Sequence, residues 1–146
     1  MRAVIQRVSK ASVTINDEVY SNINNGLLVL LAVNQEDSEN QIAWLVEKII
    51  NLRVFSDENG KMNLSLLDTN GELLIVSQFT LYGDCRRGRR PSYSNAAKPE
   101  IANALYEKFI SKAKEHVTIV KNGVFGANMQ IDLINDGPVT LIIDSL

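Results

Sequence analysis

Apolar and polar residues alternate along the start of the chain, the pattern of strands with one buried face. This alternation extends from Arg2 to Ile15, and a continuous apolar run over residues 26–33 predicts a fully buried strand. Ser38 and Gln41 have the spacing of a capping box, and apolar residues follow at helical intervals. The pattern therefore predicts strands first and then an amphipathic helix over 38–50.

The middle of the chain predicts a hairpin and a central strand. A short strand ends at the turn 57–60, which closes with Asn-Gly, and a second strand is expected over 61–67. The run 72–82 begins apolar enough for a central strand and ends in polar groups. A polar end is chemically unusual for a buried strand.

The last third predicts a long helix and a return to strands. Pro99 suits a first helical turn, and an i, i+4 apolar stripe predicts a helix over about 99–115. Strands are expected over 117–120, 129–134 and 139–143, the last two separated by a turn at 135–138. Together these elements predict one α/β domain over 1–146, with a mostly antiparallel or mixed sheet and two main helices on one side.

Composition narrows the setting. Cys85 is the only cysteine, which excludes an internal disulfide and favours a reducing compartment, the cytosol. The start of the sequence lacks the apolar core of a signal peptide, and no apolar run is long enough to span a membrane. The net charge is −2, so any contact with nucleic acid must be local. Four arginines around Gly88 are the local candidate: Arg86, Arg87, Arg89 and Arg90.

Several standard catalytic arrangements are excluded. His116 is the only histidine, and its place at the end of the long helix favours a role with the helix dipole. No nucleophile motif accompanies it, so a triad is not expected. One cysteine and one histidine cannot supply a zinc site, and the common phosphate-binding loops are absent, so neither a metal nor a cofactor is predicted. Cys85 adjoins arginines but has no general base, and we expect a free, non-catalytic thiol.

Two segments remain that carry unusual side chains. The first is Ser77-Gln78-Phe79-Thr80-Leu81-Tyr82-Gly83-Asp84, where hydroxyl and amide groups replace aliphatic ones; a strand that simply leaves the core would also produce it. The second is Asn135-Asp136-Gly137-Pro138-Val139-Thr140, which taken alone is typical of a turn between two strands.

As a pair, the two segments closely resemble the signature motifs of D-aminoacyl-tRNA deacylases, also called D-tyrosyl-tRNA deacylases. The first motif of that family usually reads S-Q-F-T-L-Y-A-D, and here Gly83 replaces the alanine; the second, N-x-G-P-V-T, is complete. The resemblance covers essentially the whole chain. It includes the opening Met1 to Val8, the R-P-S-[FY] of Arg90 to Tyr93, and Phe125-Gly126-Ala127.

The resemblance implies the substrate, the assembly and the role of the second motif. The expected substrate is the aminoacylated 3′ end of tRNA, rather than DNA or a membrane, and the family fold dimerises through its sheets. Gly137 and Pro138 would form a Gly-cisPro motif that reaches into the pocket of the other subunit. There it would reject L-amino acids and admit D-amino acids and glycine.

For the bond-breaking step, the first motif leaves two mechanisms open. In one, the amides near Phe79 and Thr80 stabilise the oxyanion while the 2′-hydroxyl of the RNA assists. In the other, the Thr80 hydroxyl is the nucleophile, although no base is apparent. Ser77 and Gln78 are candidate substrate contacts, and the four arginines are candidate phosphate contacts. A non-catalytic module that binds tRNA ends and a small-molecule esterase using Thr80 or Cys85 are the alternative functions.

Overall fold

A computed structural model describes residues 1–146 as a curved sheet with two helices. Eight strands, two α-helices and one 3₁₀ turn follow one another along the chain: β1 Arg2–Ile15, β2 Glu18–Ile23, β3 Gly26–Ala32, α1 Asn40–Ile50, β4 Phe55–Ser56, β5 Met62–Leu64, β6 Glu72–Ser77, the 3₁₀ turn Phe79–Tyr82, α2 Pro99–Lys114, β7 Val120–Asn122 and β8 Gln130–Asp144.

The main sheet is mixed. Its order is β2-β1-β3-β6-β7, and β8 pairs with β1. The long strand β1 is antiparallel to β2, β3 and β8, whereas β6 is parallel to β3 and β7. β4 and β5 form a separate two-stranded sheet. The central position of β6, between two parallel neighbours, explains its apolar sequence.

Both helices cover one face of the main sheet, as predicted. Their buried residues join the inward residues of β1, β3 and β6 in a core of 23 side chains, among them Leu45, Ile49, Tyr106 and Phe109. The opposite face of the sheet carries a smaller cluster of 7 buried residues. The expected α/β class, the mixed sheet and the placement of the helices are therefore confirmed.

Local signals place the helix starts correctly to within two residues. α2 begins at Pro99, where the missing N–H has no intrahelical partner to lose. Before α1, the Gln41 side chain accepts a hydrogen bond from the Ser38 N–H at 2.9 Å, which is one half of the predicted capping box. Neither helix is long and apolar enough to cross a membrane.

The predicted strand over 72–82 is wrong in its second half. β6 ends at Ser77, and residues 79–82 form a 3₁₀ turn. The last ladder bond runs from the Gln78 N–H to the Leu31 carbonyl at 2.8 Å. Because β3 ends one residue later, at Ala32, the chain has no further partner strand on that side and turns back on itself.

The predicted turn at 135–138 is wrong as a break between two strands, because β8 is continuous from Gln130 to Asp144. Its pairing with β1 skips four residues, since Val8 faces Asn135 while Gln6 faces Thr140. The segment 136–139 is therefore a large bulge opposite a single residue, Arg7, inside one long strand.

Smaller elements also differ from the prediction. β2 was not predicted; it returns from β1 through Asn16 and Asp17, which both have positive φ angles, 51° and 64°, as a tight hairpin turn requires. β5 covers only Met62–Leu64, because the following residues fold into a turn around the Asp68 carboxylate. β7 begins at Val120 rather than 117.

Candidate active site

The first motif lies where the central strand leaves the sheet. After Gln78, the 3₁₀ turn is closed by bonds from the Leu81 N–H to the Gln78 carbonyl at 3.3 Å and from the Gly83 N–H to the Thr80 carbonyl at 2.9 Å. Phe79 and Thr80 are the first two residues of the turn, so their own N–H groups have no partner within it. Two adjacent main-chain donors are thus available at the end of β6.

The side chains of the motif are polar and mutually engaged. The Gln78 side-chain amide donates to the Thr80 hydroxyl, which has no other side-chain partner. An amide is not a base, so this contact orients the hydroxyl without activating it. The Phe79 ring is 56% exposed, so it is accessible to a bound group.

A cavity of about 600 Å³ opens beside the turn. Ser77, Gln78 and Phe79 line one side, and the other walls come from the loop before α2 and from the segment after β7. Ten of its fifteen lining residues are hydrophobic, and the Phe79 and Tyr93 rings meet edge to face with centroids 5.1 Å apart. A mostly apolar cleft with a few polar groups at one side suits a nucleobase or another flat organic group.

The second motif is held firmly in the bulge of β8. The Arg7 guanidinium donates to the Asp136 carbonyl at 2.9 Å and to the Val54 carbonyl at 2.5 Å. The Asn135 side chain accepts from the Val139 N–H at 3.0 Å and donates to the Thr140 hydroxyl at 2.9 Å. The bulge is therefore fixed by side chains at both of its ends.

Gly137 and Pro138 form the tip of this bulge, and the peptide bond between them is cis. Gly137 has a φ of +130°, and a Cβ placed there would lie 2.8 Å from an Arg7 nitrogen. The conformation at this position therefore favours glycine, and a Cβ would in addition force the Arg7 side chain to move.

The two motifs do not meet within one chain. In the sheet register, Ser77 is level with Leu31 and Ala3, whereas the bulge lies beside Arg7, which is level with Leu27. Four residues of strand separate these levels, roughly 13 Å at about 3.3 Å per residue, and β1 and β3 lie between them laterally. The cavity beside Phe79 is lined by neither Gly137 nor Pro138.

Comparison with known proteins agrees with the two motifs. A family described as D-Tyr-tRNA(Tyr) deacylase matches residues 4–144. The chain is 63% identical over 145 residues to the D-aminoacyl-tRNA deacylase of Thermosipho africanus (strain TCF52B), a match that covers 99% of this chain and 97% of that protein. The D-aminoacyl-tRNA deacylase of Clostridioides difficile (strain 630) is 58% identical with the same coverage. The chain belongs to this family.

Solved structures show the same fold. A protein described as c-Myc DNA Unwinding Element Binding Protein superposes with a TM-score of 0.95 at 42% identity, over 100% of this chain and 99% of the other. A probable eukaryotic D-amino acid tRNA deacylase superposes with a TM-score of 0.84 over 97% of both chains. At 16% sequence identity, this similarity shows only that the fold is shared. The family expected from the sequence is confirmed, and with it the class of enzyme, a hydrolase.

In this member of the family, the four arginines are not equivalent. The loop that carries them is closed at its base by reciprocal backbone bonds between Asp84 and Ser92, at 2.8 and 3.0 Å. Arg86 makes a bidentate pair with Asp84, at 2.9 and 2.7 Å, and this guanidinium holds the pKa of the Asp84 carboxyl well below its usual range. The other three arginines make no ion pair, so the loop presents three free cations and one neutralised one.

Sequence reasoning missed two residues that support the site from behind. Tyr106 is buried on α2, and its single hydroxyl hydrogen is shared between the Ile75 carbonyl at 2.9 Å and the Gly123 carbonyl at 3.4 Å, which ties α2 to the central strand and to the segment after β7. The Arg2 guanidinium donates to the Leu81 carbonyl at 3.2 Å and stacks over the Tyr82 ring, and Asp144 holds it in place at 2.7 Å. Both looked like ordinary core or strand residues in the sequence.

The residues set aside earlier stay outside the site. His116 follows the C-terminal end of α2, and Cys85 is exposed at the start of the arginine loop. Nowhere do three or more His, Cys, Asp or Glu side chains form a group that could hold a metal ion.

Proposed function

We propose that this protein hydrolyses the ester that joins a D-amino acid, or glycine, to the 3′ end of tRNA. The observation that carries the proposal is the pair of adjacent, unpartnered N–H groups on Phe79 and Thr80, at the edge of a largely apolar cavity. Family membership supplies the class of substrate. A cytosolic location is part of the proposal, since aminoacylated tRNA is found there.

In this proposal the terminal adenosine occupies the cavity beside Phe79, and the ester carbonyl points at the two amides. Phe79 packs against the base, while Ser77 and Gln78 bond to the amino group of the substrate or to the nucleoside. The amides stabilise the negative charge that develops on the carbonyl oxygen. One such donor contributes on the order of 10²–10³ in turnover in other acyl-transfer enzymes.

The RNA itself supplies the remaining chemistry. Water attacks the ester carbonyl carbon, the bond from that carbon to the 3′-oxygen breaks, and the neighbouring 2′-hydroxyl relays the water proton to the departing 3′-oxygen. The products are the free amino acid and tRNA with an intact 3′-hydroxyl. This route needs no basic side chain, and none contacts the Thr80 hydroxyl.

Selection of the D configuration is assigned to Gly137 and Pro138 of a second copy. The bulge lies far from the cavity of its own chain. It can therefore reach only the cavity of a second copy, across a dimer interface. Ile142 of β8 is 69% exposed on the face of the sheet away from the helices, and it supplies an apolar contact for sheet-to-sheet association. Rigid backbone atoms at that position would collide with an L side chain and leave space for a D side chain or for glycine.

The decisive test is release of amino acid from matched D-tyrosyl-, L-tyrosyl- and glycyl-tRNA by the purified protein. We expect rapid hydrolysis of the D and glycyl substrates, none of the L substrate, and a large loss of rate with tRNA ending in 2′-deoxyadenosine. Equal rates on the D and L substrates would refute the proposed selection of the D configuration. Full activity on the 2′-deoxy substrate would refute assistance by the RNA. Binding of tRNA without release of the amino acid would mean that the protein is only a tRNA-end binding module.

Thr80→Ala separates the two mechanisms, because it removes the hydroxyl and keeps the main-chain N–H. Nearly full turnover is expected if the RNA assists. Trapping of an acyl group on Thr80, together with activity on simple aryl esters, would instead establish the threonine esterase.

Contact between the arginine loop and tRNA phosphates is also part of the proposal. Each phosphate neutralised adds about 0.7–0.9 to the slope of log affinity against log salt. Arg87→Gln, Arg89→Gln and Arg90→Gln should each reduce that slope. Asp84→Asn is the control variant with the opposite expected effect. It removes a negative charge and frees the Arg86 guanidinium, so we expect tighter tRNA binding. Unchanged salt dependence in all of the variants would show that the loop faces solvent.

A further inference from the structure

Gly83, the position where this chain departs from the usual family motif, does not need to be glycine for conformational reasons. It ends the 3₁₀ turn with φ −65° and ψ 118°, backbone angles open to every L-residue. Glycine at such a position destabilises the folded state, because glycine loses more conformational freedom on folding than other residues. Whatever favours glycine here must therefore be space.

The space is taken by two neighbours. A Cβ on residue 83 would lie 2.9 Å from the Thr80 carbonyl oxygen and 3.0 Å from Cε1 of the Tyr93 ring. Both distances are shorter than normal contacts of carbon, so both neighbours must give way when a methyl group is added. The Thr80 carbonyl is held by its hydrogen bond from the Gly83 N–H at 2.9 Å and can yield only slightly, so the Tyr93 ring, a side chain, takes the larger displacement.

The backbone on both sides fixes how close residues 83 and 93 can come. Asp84 and Ser92 pair reciprocally, and they directly follow Gly83 and directly precede Tyr93. The far side of Tyr93 is also tied, because its carbonyl accepts the Ala96 N–H at 3.0 Å. With both strands of this short ladder held, the size of the side chain at position 83 decides where the Tyr93 ring lies.

The position of the Tyr93 ring matters because it forms a wall of the cavity. The ring lines the cavity and meets Phe79 edge to face at 67°, with centroids 5.1 Å apart. A methyl group on residue 83 would displace the ring from this contact. Phe79 itself carries one of the two candidate oxyanion donors, so the aromatic pair sets the width of the cavity next to the reacting ester.

We propose that Gly83 and Tyr93 form a specificity-determining pair that sets how tightly the cavity holds the terminal nucleoside of the substrate. This inference rests on the proposed function for the identity of the ligand. It applies to this chain in particular, because an alanine at position 83 cannot coexist with the ring where it lies here.

A double-mutant cycle tests the pair. KM and kcat for D-tyrosyl-tRNA are measured for the wild type, Gly83→Ala, Tyr93→Ala and the double variant, together with binding of an adenosine that carries D-tyrosine through a non-hydrolysable 3′-amide. Gly83→Ala should raise KM and the Kd of the amide about three- to tenfold, the range of one aromatic pair, and leave kcat within twofold. In the Tyr93→Ala background the same change should have no further effect.

Two kinetic outcomes would overturn the proposal: no effect of Gly83→Ala on KM, or an equal effect in both backgrounds, which would locate the effect in the turn. Ser94→Ala is the control, since Ser94 belongs to the same loop and does not line the cavity. A crystal structure of Gly83→Ala gives a readout independent of activity. A Tyr93 ring that moves farther than the turn supports the pair, and a displaced turn with the ring in place refutes it. Failure of the wild type to hydrolyse the ester refutes only the proposed function.

Discussion

Removal of the Tyr106 hydroxyl should destabilise the protein only slightly, although the group is buried and hydrogen-bonded. Tyr106 is 1% exposed and donates to the carbonyls of Ile75 and Gly123. Burial also raises the pKa of its phenol, which keeps the hydroxyl protonated as a donor. Tyr106→Phe keeps the ring, opens no cavity and removes only these two contacts.

The magnitude depends on what the two carbonyls retain. The Ile75 carbonyl still accepts the Gly123 N–H at 3.0 Å, and the Gly123 carbonyl still accepts the Asn122 side-chain amide at 2.9 Å. Neither acceptor is left unsatisfied, so the loss should equal the net value of an ordinary hydrogen bond, about 0.5–1.5 kcal/mol. Tyr106→Ala also removes the ring and should cost about 3–5 kcal/mol.

Urea unfolding followed by the fluorescence of Trp44 measures both variants, because this single tryptophan packs against the main core. A lower midpoint with an unchanged m value is expected for Tyr106→Phe. A loss above about 3 kcal/mol would refute the reasoning, since it would mean that a carbonyl is left without a donor. No loss at all would show that the hydroxyl does not help to hold α2 on the central strand.

Two further predictions follow from the same contacts. Burial raises the pKa of Tyr82 to about 12 and that of Tyr106 above its ordinary value, so both stay protonated in the folded state at pH values where they ionise in the unfolded chain. The stability that the two buried phenols contribute should be complete below about pH 10 and should be lost as the pH rises towards 12. Urea midpoints measured at pH 9 and pH 11 should therefore differ less in Tyr106→Phe than in the wild type. Arg2→Gln removes the donor that holds the Leu81 carbonyl, so it should lower kcat on D-tyrosyl-tRNA several-fold with little change in KM. Lys108→Gln, which breaks an exposed ion pair away from the turn, should change neither, and an equal loss in both variants would contradict a positioning role for Arg2.

The elements predicted correctly from the sequence are those fixed by local signals. Pro99 and the apolar stripe that follows it are sufficient to define α2, since helix starts and amphipathic faces depend on neighbouring residues. The misplaced elements depend on distant partners. The bulge of β8 depends on Arg7 of another strand, and the end of β6 depends on where β3 stops.

The candidate site was predicted through the resemblance of its motifs rather than through physical pattern. Ser77 to Tyr82 and Asn135 to Thr140 were singled out in this way, but their separation within one chain became apparent only from the sheet register. The sequence did not single out Tyr106 or Arg2. Tyr106 has the pattern of an ordinary helix residue, and Arg2 has that of a polar position on a strand. Their contacts join residues far apart in sequence, which periodicity cannot show.

Because the donors at the end of β6 belong to the main chain, conventional alanine scanning would pass over them. Phe79→Ala and Thr80→Ala change the side chains and leave both N–H groups in place. Proline, by contrast, deletes the donor itself and is tolerated at the first position of a helical turn. A comparison of Phe79→Pro with Phe79→Ala would therefore isolate one backbone hydrogen. If the proposed chemistry holds, it depends on main-chain atoms, and the side chains around them can vary widely while the reaction is kept.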